Sequence, residues 1–142
     1  MILVDNRTGL EVLDREECFR LLGVNGVGRV AVLDGGRPVI FPVNYAIGDD
    51  EVLIRTAPGT KLDAAARGQQ VAFEIDHADA MYHTGWSVLV QGRCEEVTDP
   101  ERLAEIERLP LRPWAQGEKD HVISIRAESV TGRRLVHVAS GD

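Results

Sequence analysis

Lysine is scarce in this sequence, and acidic residues outnumber basic ones. Sixteen Lys and Arg residues stand against 23 Asp and Glu residues, which gives a formal net charge of −7. Phosphate backbones are bound by clustered cations, so an acidic chain without a basic run is not expected to bind nucleic acid. Any strongly positive site must be local. Lys61 and Lys119 are conspicuous because all other basic residues are arginines.

Cysteines are few and long apolar runs are missing. Cys18 and Cys94 lie far apart without a CxxC spacing, which favours two reduced thiols over a disulfide. The sequence has no run of eighteen apolar residues, as a membrane-spanning helix requires. Residues 1–13 lack the basic start of a signal peptide. We therefore expect a cytoplasmic protein without a membrane partner.

Motifs for metal binding and for hydrolysis are also missing. The histidines follow no HxH or HExxH spacing, and the polar residues from Asp76 to His83 are interpreted as a loop and not as a metal site. No GxSxG motif occurs, and neither cysteine has an evident activating partner. The sequence thus predicts no metal ligand and no dedicated catalytic acid, base or nucleophile.

Capping signals predict three short helices. Asp14 is a good N-cap for a helix over about 14–22. Thr60 is predicted to cap a second helix that ends near Gly68. Asp99, followed by a proline at the first helical position, begins a third.

Strands account for most of the remaining chain. A Gly-Gly pair at 35–36 between two apolar runs is typical of a β-hairpin. We count about six strands: VGRVAVL, VIFPVNYAI, EVLIRT, QQVAFEID, WSVLVQGRCEEV and HVISIRAESVTGRRLVHV, the last being one or two strands. No βαβ rhythm is present, so we expect an antiparallel barrel in one domain over residues 1–142, with residues 1–13 as an extended lead-in.

The segment from Arg55 to Gly68 is a candidate anion site. Arg55 and Thr56 end a strand, a Pro-Gly turn follows, and Thr60 and Lys61 begin a helix. Helix N-termini favour anions, and Arg and Lys add charge-assisted hydrogen bonds, so these donors would suit a monophosphate. The alternative is a capped surface helix with a solvated lysine.

Two strands offer further candidates. Pro42 lacks a backbone donor and belongs at a sheet edge. There, nearby backbone groups of the segment FPVNY could hold a flat heterocycle, or the segment could simply form a protected edge. Ser87 could donate a hydrogen bond to a phosphate or to a ring nitrogen. Trp86, on the other face of the same strand, is interpreted as a core residue.

The last candidates lie towards the end of the chain. Trp114 is in an irregular loop, where a large aromatic side chain needs a surface to pack on. Arg133 and Arg134 follow a glycine turn. They could reach an anion or could pair with some of the many carboxylates, and the residues alone leave both interpretations open.

Taken together, these segments resemble the pyridoxamine 5'-phosphate oxidase-like family of flavin-binding split barrels. The matching stretches cover roughly residues 10–136 and run in the order GVGRVAV, RPVIFPVNY, LIRTAPGTKLDA, VAFEID, GWSVLVQG, PW and TGRRL. The resemblance implies a mainly β fold: a six-stranded antiparallel split β-barrel of Greek-key type. It also implies a homodimer with FMN between its subunits, or a deazaflavin coenzyme as the alternative cofactor.

The resemblance also assigns roles by position. The phosphate would be held by Arg55, Thr56 and Lys61, with a further hydrogen bond from Ser87. The isoalloxazine ring would be lined by Pro42, Val43 and Asn44. The partner's cofactor would be reached by Trp114 and by one of Arg133 and Arg134.

The implied function is transfer of hydride or electrons from the flavin to a small substrate. The arginine and histidine groups that the name-giving oxidases use for pyridoxamine phosphate have no evident counterpart, so that activity is not expected. Three alternatives stay open: a non-catalytic flavin-binding or storage protein, a reductase using a deazaflavin, and a ligand-free dimeric interaction module.

Overall fold

A computed structural model describes residues 2–24, 27–109 and 121–135 of the chain, and strands predominate in it. The strands are β1 (Leu3–Val4), β2 (Glu11–Leu13), β3 (Val27–Asp34), β4 (Arg37–Asn44), β5 (Ala46–Gly48), β6 (Glu51–Thr56), β7 (Gln70–Asp79), β8 (Thr84–Glu96), β9 (His121–Arg126) and β10 (Ser129–Leu135). The helices are α1 (Arg15–Leu22), α2 (Thr60–Ala66) and α3 (Pro100–Glu107). None of these helices is long and apolar enough to cross a bilayer.

The strands form two antiparallel sheets that share β8. The larger sheet has the order β1-β2-β10-β8-β7-β3-β4, and the smaller has the order β5-β6-β9-β8. β8 pairs with β7 and β10 over most of its length, and its last residues, from Cys94, pair with β9. The predicted split β-barrel is confirmed. Its six strands correspond to β3 through β10, because two of the predicted strands each break in two.

Local signals determined several of these elements. The turn between β3 and β4 consists of Gly35 and Gly36 at φ 58° and 80°. Two positive φ angles in a two-residue hairpin are those of a type I′ turn, which glycine adopts without steric cost. Asp14 accepts a hydrogen bond from the Glu17 backbone N–H, and Asp99 accepts one from that of Glu101, so both predicted N-caps are confirmed.

The predicted strand VIFPVNYAI is broken at Tyr45. Its first part, β4, belongs to the larger sheet, and its last part, β5, belongs to the smaller. The Tyr45 side chain is buried, its ring packs edge-on against Phe73 at 4.8 Å between centroids, and its hydroxyl donates to the Leu22 carbonyl oxygen. The chain therefore turns between the two sheets around a fixed aromatic side chain.

The sequence predicted residues 1–13 only as an extended lead-in. Within them β1 and β2 form a hairpin, and β2 pairs with β10. Two other sequence predictions were wrong. The polar segment after Asp76 is not a loop throughout, because β7 continues to Asp79 and β8 begins at Thr84. Thr60 does not cap α2. The N-cap is Gly59, none of the described side chains caps this helix, and Thr60 is its first residue.

The main core lies between the two sheets and under α1 and α2. Its largest fully buried members include Phe73, Leu22, Ile54 and Ile75, and the two unpaired cysteines are also buried in it. A second cluster joins α3 to the smaller sheet through Leu53, Val97, Ile106 and Val122. Together the two clusters hold the strands that carry the candidate site.

The passage of β8 from one sheet to the other requires a glycine. A Cβ built on Gly92 would lie 1.8 Å from the carbonyl oxygen of Arg126, at the connection between β9 and β10. Because this neighbour is backbone, it cannot move aside as a side chain would. We expect Gly92→Ala to lower the free energy of unfolding by about 3 kcal/mol, as measured by urea denaturation.

Gly23→Ala is the matched control for this experiment. Gly23 ends α1 in helical geometry, and its added carbon would lie 3.5 Å from the nearest atom. Gly23→Ala should lower the free energy of unfolding by less than about 0.5 kcal/mol. Equal effects of the two substitutions would disprove the packing constraint at Gly92.

Candidate functional site

Four of the predicted site residues lie on the outer face of the larger sheet. They are Pro42, Asn44, Ser87 and Arg133. The inner face is marked by buried Val43 and Val88, so the neighbouring residues on β4 and β8 point outward. Arg133 on β10 is the register partner of Ser87 on β8. Since β3 and β7 lie between β4 and β8, Asn44 and Ser87 are about 14 Å apart across three inter-strand spacings.

β4 is the edge strand of the described sheet, as Pro42 predicted. Pro42 is exposed and Asn44 is half-buried, whereas the side chain of Val43 is 4% exposed and packs in the main core. The side chain of Val43 is therefore directed into the core and away from the outer side. Only the backbone of this residue can face a ligand on the outer side.

The two adjacent arginines of β10 have different surroundings. Arg134 lies on the opposite face from Arg133 and binds Glu17 of α1 at 2.6 Å and Glu11 of β2 at 3.5 Å. Hydrogen bonds from Arg20 and from Arg134 lower the pKa of Glu17 to about 2. Arg134 thus ties α1 and β2 to the sheet, and Arg133 is the arginine that shares a face with Ser87.

The predicted anion segment begins at the end of β6. The Arg55 side chain lies on the β6 face opposite to that of Thr56, because adjacent strand residues alternate. Its Nε is buried and has no hydrogen-bond partner among the residues that the structure describes. Thr56 is buried, and its hydroxyl donates to the Ala57 carbonyl oxygen at 3.1 Å. The side chains of Arg55 and Thr56 therefore have different surroundings, although both residues end β6.

Lys61 connects this segment with the edge strand. Its Nζ lies 4.2 Å from the centroid of the Phe41 ring. Phe41 is half-buried and packs against the main core from β4, next to Pro42. The contact brings the start of α2 to the strand that carries the predicted ring-binding residues.

A cluster of charges lies in the middle of the outer face. Arg29 of β3 is 3.3 Å from the Glu74 carboxylate and 3.1 Å from the Asp76 carboxylate, both on β7. Burial raises the pKa of Glu74 to about 7; a hydrogen bond and the charge of Asp76 add to this, and Arg29 opposes it. The cluster borders a cavity of about 400 Å³ whose apolar lining includes Ile40 and Leu89.

Sequence reasoning missed this charge cluster and the role of Phe41. Arg29 and Glu74 are register partners across β3 and β7, so the strand pairing, once known, places them together. The alternation of β4 places Phe41 on the same face as Val43, but it gives no signal that a lysine would lie on the Phe41 ring. Trp114 falls outside the described residues.

Comparisons with known proteins agree with this architecture. The family described as pyridoxamine 5'-phosphate oxidase matches residues 14–134 of the chain. An uncharacterised protein of Mycobacterium tuberculosis is 43% identical over 129 residues, covering 87% of this chain and 84% of that protein. The FAD binding protein of Mycobacterium smegmatis is 34% identical with a TM-score of 0.73, covering 89% of this chain and 98% of that one. A structure from Corynebacterium glutamicum, provisionally named a pyridoxamine 5'-phosphate oxidase, is 30% identical with a TM-score of 0.79, covering 90% and 99%.

The charge cluster predicts a pH dependence of stability. The pKa of Glu74 is raised from 4.5 to about 7 on folding, so its contribution to stability is fully present below pH 4.5 and is lost as the pH rises to about 7. Glu74→Gln removes this titration. We expect the fall in unfolding free energy between pH 5 and pH 8 to shrink by about 1 kcal/mol, well below the full linkage value because the carboxylate is partly exposed and screened.

Urea denaturation of both proteins at the two pH values tests this expectation. An identical pH dependence in the variant and the wild type would show that Glu74 ionises normally in the folded chain.

Proposed function

Because this chain belongs to the pyridoxamine 5'-phosphate oxidase family, we propose that it binds a flavin nucleotide, with FMN as the first candidate, at a site shared by two copies of the chain. The relative from Mycobacterium smegmatis is named as an FAD binding protein, which supports a flavin ligand. A bound flavin supplies hydride or electron transfer to a small substrate, and the protein supplies position and electrostatics. No side chain of this chain is proposed as a catalytic acid or base.

The buried Nε of Arg55 is the observation that carries the proposal. A buried donor without an acceptor costs free energy, and such groups in native proteins usually have an explanation. A phosphate oxygen is a strong acceptor for a guanidinium. Lys61 follows in the same segment, so the residues present fit a phosphorylated ligand.

The ring end of the ligand is proposed to contact β4. Pro42 and Asn44 face outward on an edge strand, where backbone groups are available to a polar heterocycle. The Lys61 contact with Phe41 links this strand to the phosphate segment. A ligand with a flat ring at one end and a phosphate at the other matches this arrangement.

FMN and FAD share the ribityl phosphate that this segment would bind, and a deazaflavin coenzyme carries a phosphate at the corresponding place. The Mycobacterium smegmatis relative makes FAD the main competitor of FMN. Heat release of the ligand from purified protein, followed by mass measurement, separates the three. Turnover of NAD(P)H by the loaded protein then distinguishes an oxidoreductase from a flavin-storing protein.

The phosphate contact of Lys61 is directly testable. Removing one charge-assisted hydrogen bond costs roughly 1.5–3 kcal/mol, which corresponds to about 10- to 150-fold in dissociation constant. We therefore expect Lys61→Ala to weaken FMN binding by about that factor and to leave riboflavin, which has no phosphate, nearly unchanged. Fluorescence titration measures both affinities.

Arg7→Ala controls for the loss of a positive charge. Arg7 lies before β2, and its side chain is 89% exposed, so its loss should affect neither ligand. Unchanged FMN affinity in Lys61→Ala would remove this segment as the phosphate site.

The outer face of the larger sheet is proposed as the contact between the two copies. Three apolar side chains on this face, Val27, Leu33 and Ile40, are exposed by 39%, 47% and 66%. Apolar surface of this kind is typical of interaction sites, and most homo-oligomers are two-fold dimers. Because Asn44 and Ser87 are about 14 Å apart on one copy, a partner that covers this face could complete the site between them.

A dimer predicts a solution mass of about twice 15.6 kDa by light scattering. Ile40→Glu would place a charge in the contact and should yield the monomer. Val24→Glu is the matched control, because Val24 is equally exposed at 66% but lies in the connection after α1. A wild-type monomer that binds flavin would overturn the shared site.

A further inference from the structure

We propose that Phe41 is a positioning residue for phosphate binding: the face of its ring holds the Lys61 ammonium at the junction of β4 and α2 before the ligand arrives. This inference rests on the proposed function, since it takes Lys61 as a phosphate contact. It adds a residue whose effect on the ligand is exerted through the lysine.

The geometry is that of a cation–π contact. The Lys61 Nζ lies 4.2 Å from the ring centroid, within the distance of about 6 Å at which the ring quadrupole attracts a cation. Phe41 packs against the main core, so the ring is fixed in place. Lys61 is half-buried, and partial removal of water strengthens such contacts.

The face of an aromatic ring attracts an ammonium group in a different way from a carboxylate. A carboxylate would cancel the positive charge, whereas the face of a ring attracts the ammonium without itself adding a negative charge. The ammonium has three N–H donors, and the ring contact does not consume them as a carboxylate would. Phe41 can therefore orient the lysine without competing for the role of the phosphate.

Phe41 would reduce the conformational entropy that the Lys61 side chain loses when the ligand binds. A lysine side chain is a flexible four-carbon stem with considerable rotamer entropy, and immobilising it on ligand binding weakens affinity. Holding the ammonium in the ligand-free chain reduces that loss. Phe41 and Pro42 are adjacent on β4 but face opposite sides. The same strand would therefore position Lys61 through Phe41 and contact the flavin ring through Pro42.

The experiment compares affinities for FMN and riboflavin in Phe41→Leu. A cation–π contact of ordinary strength corresponds to about 3- to 10-fold in affinity. We expect the preference for FMN over riboflavin to fall by that factor in Phe41→Leu and to be retained in Phe41→Tyr. In the double variant with Lys61→Ala, the leucine should cause no further fall.

Val39→Ala controls for a loss of packing on the same face of β4, because Val39 is also half-buried against the main core. It should lower thermal stability and leave the FMN preference unchanged. If Phe41→Leu does not fold, replacing Phe41 with 3,5-difluorophenylalanine keeps the shape and weakens the negative face of the ring. The preference should fall in that variant as well.

The outcomes separate the two proposals. An FMN preference that falls in Lys61→Ala but not in Phe41→Leu or the fluorinated variant overturns the positioning role and leaves the phosphate site intact. A preference unchanged in Lys61→Ala overturns the phosphate site and the positioning role with it.

Discussion

The shared strand β8 is the constraint on which the barrel depends. Its thirteen residues pair with β7 and β10 in one sheet and with β9 in the other. Such a strand can bend into the second sheet only where no side chain blocks the connection from β9 to β10, and Gly92 meets that requirement. Without this bend, β6 and β9 could not close over the main core, and α3 would have no apolar surface to pack on.

The same architecture explains why the candidate site has two separate parts. One part lies on the outer face of the larger sheet, and the other lies where β6 leads into α2. They meet at β4, which turns Pro42 outward and Phe41 inward towards Lys61. A ligand that contacts both parts would therefore depend on the position of one edge strand, and Tyr45 fixes that strand at its end through the Leu22 carbonyl.

The sequence predicted features that depend on neighbouring residues. Asp14 and Asp99 cap helices because their side chains bond backbone groups two or three residues away, and Gly35 with Gly36 forms a hairpin turn by itself. Contacts between distant segments were not predictable in this way. The pairing of β2 with β10 and the contact of Lys61 with Phe41 depend on how the sheets close, which no local pattern encodes.

For the candidate residues on β4, the alternation of the strand alone decides the face. Pro42 and Asn44 lie opposite Phe41 and Val43, as the period of two requires. The choice between Arg133 and Arg134 needed the register, since only the structure shows Glu17 and Glu11 beside Arg134. The two carboxylates around Arg29 likewise depend on the pairing of β3 with β7.

The bond between Arg134 and Glu17 also has a consequence for the time course of folding. The two residues are 117 positions apart, and the entropy of closing so long a loop must be overcome before the contact stabilises anything. During synthesis, α1 and β2 therefore have no partner for this bond until β10 has left the ribosome. Until then, α1 and β2 lack their contacts with β10. We expect their docking on β10 to be among the last steps of folding.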